Sequence, residues 1–305
     1  LSETTNKDIV SIVVPRGANL STVAEDLYKK GIIRSRLWFR YSGQEIAMNI
    51  KPGNYEIEPE LSIDDIYEII QRGEQEEQLE ITFPEGFILY QFAQKIEEAG
   101  LGTAEEFIEA SNEYFNSKGY EFDTSNLYFN MEGYLFPDTY FFTKNQSMEE
   151  IISKLVSTME NVFTDEYRTR AEELGLSLHE VLTLASLVER EAYKDTERAT
   201  ISGVIHNRLD IDMILQIDAT VIYGIGQGKE HMTRVLYADL EKDNPYNTYI
   251  YPGLPPGPIA SPGRNSIEAA LYPEDHDYFY YVMADDGHVF SKTFAEHQRN
   301  VNKYR

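Results

Sequence analysis

The apolar positions of this chain fall into short blocks of period two and period 3.6, and one such block occurs twice. Ile12-Val-Val-Pro15-Arg-Gly17, followed by Leu20, Ala24 and Gly31, is matched by Ile81-Thr-Phe-Pro84-Glu-Gly86 with Leu89, Ala93 and Gly100, every pair 69 positions apart. Each copy predicts a strand broken by Pro and Gly. A helix follows, with Val23, Ala24 and Leu27 or Phe92, Ala93 and Ile96 on its apolar face, and the last glycine closes it. Between the copies, Gly53 to Ile57 predicts a second short strand, and Ser62 to Gln71 a capped helix with Ile63, Ile66, Ile69 and Ile70 turned inward. Arg72-Gly-Glu-Gln-Glu-Glu-Gln78 has no apolar position and predicts a linker. The pattern therefore divides the chain into residues 1–77 and 78–305.

Beyond the linker, helical periodicity predicts helices near Ala104 to Ser111, Met148 to Val162 and Thr196 to Leu209. Pro and Gly recur too densely from Pro245 to Gly263 for regular structure. Tyr278 to Met283 and His288 to Ser291, joined by Asp285-Asp-Gly287, predict a β-hairpin, and a C-terminal helix starts at Thr293. The fold class is α+β.

One further helix carries the strongest chemical signal. Ser177 and Glu180 form a capping-box spacing ahead of an apolar run, placing helix entry near Leu178. Val181, Leu182, Leu184, Ala185, Leu187, Val188 and Ala192 fill one wide arc, with Thr183, Ser186 and Arg190 opposite. Glu189 and Glu191 lie in or beside that arc, and Glu191 has the drier neighbours, Leu187 and Val188 one turn back. A carboxyl there has its charged form disfavoured, which raises its pKa towards that of a general acid. The competing reading is a structural ion pair with a buried Arg or Lys.

Composition removes other chemistries. Fifty-two acids against 27 bases give a net charge of −25, which argues against nucleic acid and against adsorption to anionic lipid and is explained by solubility. With no cysteine there is no thiolate nucleophile or thiolate metal site. Histidines 179, 206, 231, 276, 288 and 297 show no i, i+4 pair, so no metal is expected. The glycine-rich phosphate and dinucleotide motifs and the serine elbow are absent, and no cofactor is expected. No apolar run reaches about 18 residues. The start at Leu1 rather than Met implies a removed N-terminal signal or anchor.

Three more clusters are candidates for ligand contact. Glu132 to Tyr140 mixes acids with aromatics, which suits sugar stacking or a packed loop. In Leu215 to Gly224, the alternation of Gln216, Asp218 and Thr220 with Ile217, Ala219 and Val221 predicts an extended segment with its polar side chains on one face. Tyr246, Asn247 and Tyr249 stand in the proline-stiffened loop, as a groove wall or as plain structure.

Ala185-Ser-Leu-Val-Glu-Arg-Glu191, Leu215-Gln-Ile-Asp-Ala-Thr-Val-Ile-Tyr-Gly224, Asn247-Thr-Tyr249 and Gly253-Leu-Pro-Pro-Gly-Pro-Ile259, in that order, resemble the endolytic murein transglycosylases, or YceG-like proteins. The resemblance implies a small LysM-like α/β subdomain over 1–77 and a larger, helix-rich catalytic domain over 78–305. It implies a lyase that cuts the MurNAc-GlcNAc bond of nascent peptidoglycan strands with 1,6-anhydro ends, using Glu191 as the catalytic acid. Gln216, Asp218, Thr220, Tyr246, Asn247 and Tyr249 would hold the sugar. It further implies an N-terminal membrane anchor, an extracytoplasmic location and peptidoglycan synthases as partners. Two other functions fit the same residues. One is a muramidase using Glu191 with an acid such as Asp218, and the other is a wall-binding scaffold without turnover.

Overall fold

The computed structural model describes residues 9–44, 49–73, 78–229 and 235–304. Part of the linker, 74–77, and His231 lie outside them. The chain divides into two compact units, Leu1–Glu77 and Gln78–Arg305, each with its own hydrophobic core.

In the first unit, β1 (Val10–Val14) pairs antiparallel with β2 (Gly53–Ile57), Ile12 facing Tyr55. Between them lie α1 (Leu20–Lys29), whose first N–H groups donate to the Asn19 side chain, and α2 (Arg36–Ser42), capped by Ser35. The capped helix is α3 (Ile63–Arg72), with Ser62 and Asp65 closing a capping box. Leu27, Phe39, Ile57 and Ile70 are fully buried between sheet and helices.

The second unit opens with the second copy of the repeat, β3 (Gln78–Thr82) and α4 (Leu89–Glu98). Both copies share their turns. Gly17 and Gly86 adopt φ of +78° and +76°, and Gly31 and Gly100 take +73° and +70° at the helix ends, where only glycine is unstrained. At each end the N–H groups of Ile32 and Leu101 reach back to the carbonyls of Leu27 and Ile96, which makes both a Schellman motif.

Helix α5 (Ala104–Lys118) runs a turn or more past the predicted stretch to Gly119. Strand β4 (Thr139–Thr143) pairs antiparallel with β3, and α6 (Met148–Val162) has the predicted bounds. Then follow α7 (Asp165–Leu174), α8 (Leu178–Glu191), α9 (Arg198–Asp210), α10 (Asp218–Ile225) and α11 (Arg264–Leu271). The chain closes with the hairpin β5 (Tyr280–Ala284) and β6 (Gly287–Ser291) and with α12 (Phe294–Tyr304). Among the described residues, no helix is long and apolar enough to cross a membrane.

Two expectations are corrected. The extended segment ends at Ile217, and Asp218 begins a helix, so Thr220 turns inward while Gln216 and Asp218 stay exposed. Helix α8 is buried on both sides between Val181 and Val188, since α7, α9, α10 and α11 all pack on it. Thr183 and Ser186 tolerate this because their hydroxyls donate 2.7 Å bonds to the carbonyls of His179 and Thr183, so both hydroxyls are satisfied. Ser186 also accepts from the Ile259 N–H at 3.0 Å, which seats the proline-rich loop on α8.

Candidate active site

The last turn of α8 sends Glu189, Arg190 and Glu191 in three directions, since successive helical side chains point about 100° apart. Glu189 turns inward and is only 7% exposed. Its Oε1 lies 3.1 Å from Nη1 of Arg198 on α9, and its Oε2 accepts from the Gly263 N–H at 3.0 Å and from the Ser266 hydroxyl at 2.8 Å at the start of α11. The ion-pair reading thus describes Glu189. Arg190 donates to the carbonyl of Gly86 at 3.2 Å, tying α8 to the turn between β3 and α4.

Glu191 instead faces a cavity of about 330 Å³ lined by Arg208, Gln216, Asp218, Tyr249, Tyr281 and His288 among others. Its Oε2 accepts a 2.9 Å hydrogen bond from the Tyr281 hydroxyl. Burial pushes the Glu191 carboxyl above the ordinary value and the charge of Asp218 adds to the rise, whereas Tyr281, His288 and Arg190 oppose it. The group is therefore biased towards a neutral acid that can give a proton into the cavity.

The structure brings Glu191, Gln216, Asp218 and Tyr249 together and gives the remaining candidates other work. Gln216 sits at φ +54°, a left-handed conformation that a non-glycine residue adopts only when held there. Thr248 holds it. The Thr248 carbonyl accepts from the Gln216 N–H at 3.1 Å, and its hydroxyl accepts from the Ile217 N–H at 3.0 Å and lies 2.9 Å from the buried Thr220 hydroxyl. Thr220 is thus part of the clamp and does not line the cavity.

Asn247 is also buried. It donates to the carbonyls of Leu240 and Lys242 at 2.9 Å and accepts from the Tyr249 N–H at 2.9 Å, which fixes the loop that presents Tyr249. The Tyr249 hydroxyl donates to Asp218 Oδ1 at 2.5 Å. Tyr246 is fully buried and stacks on Tyr128, so it belongs to the core beneath the site. The Glu132 to Tyr140 cluster is a packed loop that runs into β4, with Glu132, Tyr134, Leu135 and Phe136 buried.

Sequence reasoning missed most of the opposite wall. Arg208 donates to the carbonyls of Phe279 at 2.6 Å, Ile214 at 3.2 Å and Leu215 at 2.7 Å, and its guanidinium lies over the Tyr280 ring. One buried cation thus fastens the end of α9, the segment before Gln216 and the start of the hairpin. At the hairpin tip, Glu197 accepts from the His288 N–H at 2.7 Å and lies 3.0 Å from its Nδ1. The only sequence signal for this wall was the hairpin itself, with no pattern to place it against a helix about 90 residues earlier.

A model of the family described as YceG-like matches residues 12–303. The chain is 37% identical over 315 residues to the endolytic murein transglycosylase of Bacillus subtilis (strain 168), covering 99% of this chain and 86% of that protein. It is 30% identical over 325 residues to the endolytic murein transglycosylase of Streptococcus pneumoniae serotype 2 (strain D39 / NCTC 7466), covering 98% of this chain and 59% of that protein. A crystal structure of a YceG-like protein from Listeria monocytogenes aligns with a TM-score of 0.67 at 35% identity, covering 96% of this chain and 99% of that one.

Proposed function

The chain belongs to the YceG-like family, and from that premise we propose that it is a peptidoglycan lytic transglycosylase that cuts within glycan strands. The observation that carries this reading is Glu191, an acid kept towards its neutral form at the wall of a cavity. Neutral Glu191 protonates the oxygen joining N-acetylmuramic acid to N-acetylglucosamine. The C1–O bond breaks, and positive charge develops on the muramyl ring. The C6 hydroxyl of the same ring attacks C1, Glu191 takes up that hydroxyl's proton, and the acid is regenerated with a 1,6-anhydro end and no water consumed. An internal nucleophile has a high effective concentration, so no second carboxylate is needed to activate water.

Gln216, Asp218 and Tyr249 orient sugar hydroxyls and acetamido groups from the facing wall. Thr220, Tyr246 and Asn247 act one step removed, by holding that wall in place. The first unit, whose β1-α1-α2-β2 order supports a LysM-like module, would bind glycan, and the second would cleave it. Action outside the cell on nascent strands, beside the synthases that extend them and under a membrane anchor, belongs to the same reading.

The test is product analysis on peptidoglycan with purified Glu191→Gln protein. Release of anhydro-muropeptides should vanish while the circular-dichroism spectrum is kept. Retained cleavage in Glu191→Gln removes the assignment. Because Asp218 shares the cavity with Glu191, a muramidase outcome is read in the same experiment as reducing ends one water heavier. Binding without any cleavage by wild type would mark a scaffold.

A further inference from the structure

The fold treats the two oxygens of Glu191 differently. Oε2 is engaged by the Tyr281 hydroxyl at 2.9 Å, and Tyr281 is held in place from several sides. It pairs with Phe290 across the hairpin and meets the His288 ring edge-on, with centroids 5.2 Å apart. Glu197 grips His288 at the hairpin tip, and Arg208 grips the carbonyl of Phe279 at its base.

We propose that Tyr281 is a positioning residue that keeps the reactive proton of Glu191 on Oε1, the oxygen left for the cavity, and that it stays a donor throughout the reaction cycle. This rests on the reading of Glu191 as the acid. While Glu191 is neutral, Oε2 is its carbonyl oxygen and accepts from the phenol, so the carboxyl proton resides on Oε1. Once Oε1 has protonated the glycosidic oxygen, the same hydrogen bond becomes charge-assisted and stabilises the carboxylate until the C6 hydroxyl proton returns to Oε1. Tyr281 gains and loses no proton. Burial and the Glu191 charge hold its phenol well above the ordinary value, which keeps it in the donor form.

Other titratable groups surround Glu191 without a hydrogen bond to the engaged oxygen. Asp218 on α10 raises its acid, while His288 on β6 and Arg190 on α8 lower it. Arg208 on α9 and Tyr249 in the loop each feel its charge, and α12 adds His297 to the cavity wall.

Tyr281→Phe removes a single oxygen and keeps the ring. It should lower kcat about tenfold or more and leave KM within about twofold. Activity requires protonated Glu191, so it falls as pH rises through the Glu191 pKa. Losing a donor that favours the carboxylate raises that pKa, and the basic limb of the kcat profile should move up by about one unit. Carbon-13 titration of labelled glutamate carboxyls, with Glu191 assigned by comparison with Glu191→Gln, reads the same shift without turnover. In a second variant, 3-fluorotyrosine at position 281 strengthens the donor and should move the pKa down.

An unmoved or opposite carboxyl shift in either variant, or a shifted pKa with unchanged kcat and pH limb, overturns the proposal. Retained cleavage in Glu191→Gln overturns the catalytic reading instead, and the carboxyl titration still reports on the hydrogen bond alone.

Discussion

A carboxyl group removed from water is costly to ionise, and the second unit meets that cost differently at Glu189, Glu191 and Glu132. Glu189 has a buried cation. Removing its charge by Glu189→Gln leaves Arg198 with its exposed partner Asp195 and the more distant Glu85, and stability should fall by about 3 kcal/mol in denaturant titration. Cleavage should survive at reduced rate, in contrast to Glu191→Gln. Glu132, 2% exposed, has no cation among its hydrogen-bond partners. It accepts from the Leu89 N–H at the start of α4 at 2.9 Å and from the Tyr223 hydroxyl at 3.1 Å. Burial pushes its carboxyl up to about 8 against these two bonds and a third from the Gly133 backbone. A folded-state pKa above the unfolded one gives stability that is complete below about pH 4.5 and is lost as pH rises to about 8. Glu132→Gln preserves shape and cannot ionise. Its melting temperature should therefore exceed that of wild type at pH 8, with the gap closing towards pH 5, and a pH-independent gap would contradict the assignment.

At the level of elements, the site depends on a loop held in an unfavourable conformation. Gln216→Gly relieves the left-handed backbone, so it should stabilise the protein by up to about 1 kcal/mol while lowering glycan cleavage through loss of the side chain. Thermal melts and product release on the same preparation check both directions. This loop is also where the sequence was hardest to read. Gln216 and Asp218 are exposed and Leu215, Ile217 and Ala219 buried, as alternation demands, yet the alternation spans a left-handed residue and a first helical turn instead of a strand. Helix α10 covers only Asp218 to Ile225 and is mostly apolar, so few polar positions mark a 3.6 period. Helix α7 fails for the opposite reason, since Ala171 is its only buried residue. The repeat, α8 and the hairpin were legible because caps, glycines and periodicity agreed there. Tyr281 and the reach of Arg208 to Phe279 were not, because these partners lie 90 and 71 positions apart and no local pattern encodes such a meeting.

Across the whole molecule, the two hydrophobic cores share no residue, the first drawing on positions 12 to 70 and the second on positions from 81 onward. Each unit therefore has its own source of cooperativity, and calorimetry of the intact chain should resolve more than one unfolding transition. A single two-state transition would show that the units unfold together. The second unit has its own point of convergence in the Glu189-Arg190-Glu191 turn, where adjacent side chains engage α9 with α11, the β3-α4 connection and the hairpin. Such a junction sets different tolerances for different kinds of change. Side chains upstream in α8 can be exchanged one at a time for others of similar size, each at a local cost. Adding or deleting one residue in that helix would rotate all three spokes by about 100° at once, parting Glu189 from Arg198, releasing Gly86 and swinging the acid away from its phenol. Over time, drift in this protein can rewrite the letters of α8 far more freely than it can change their number.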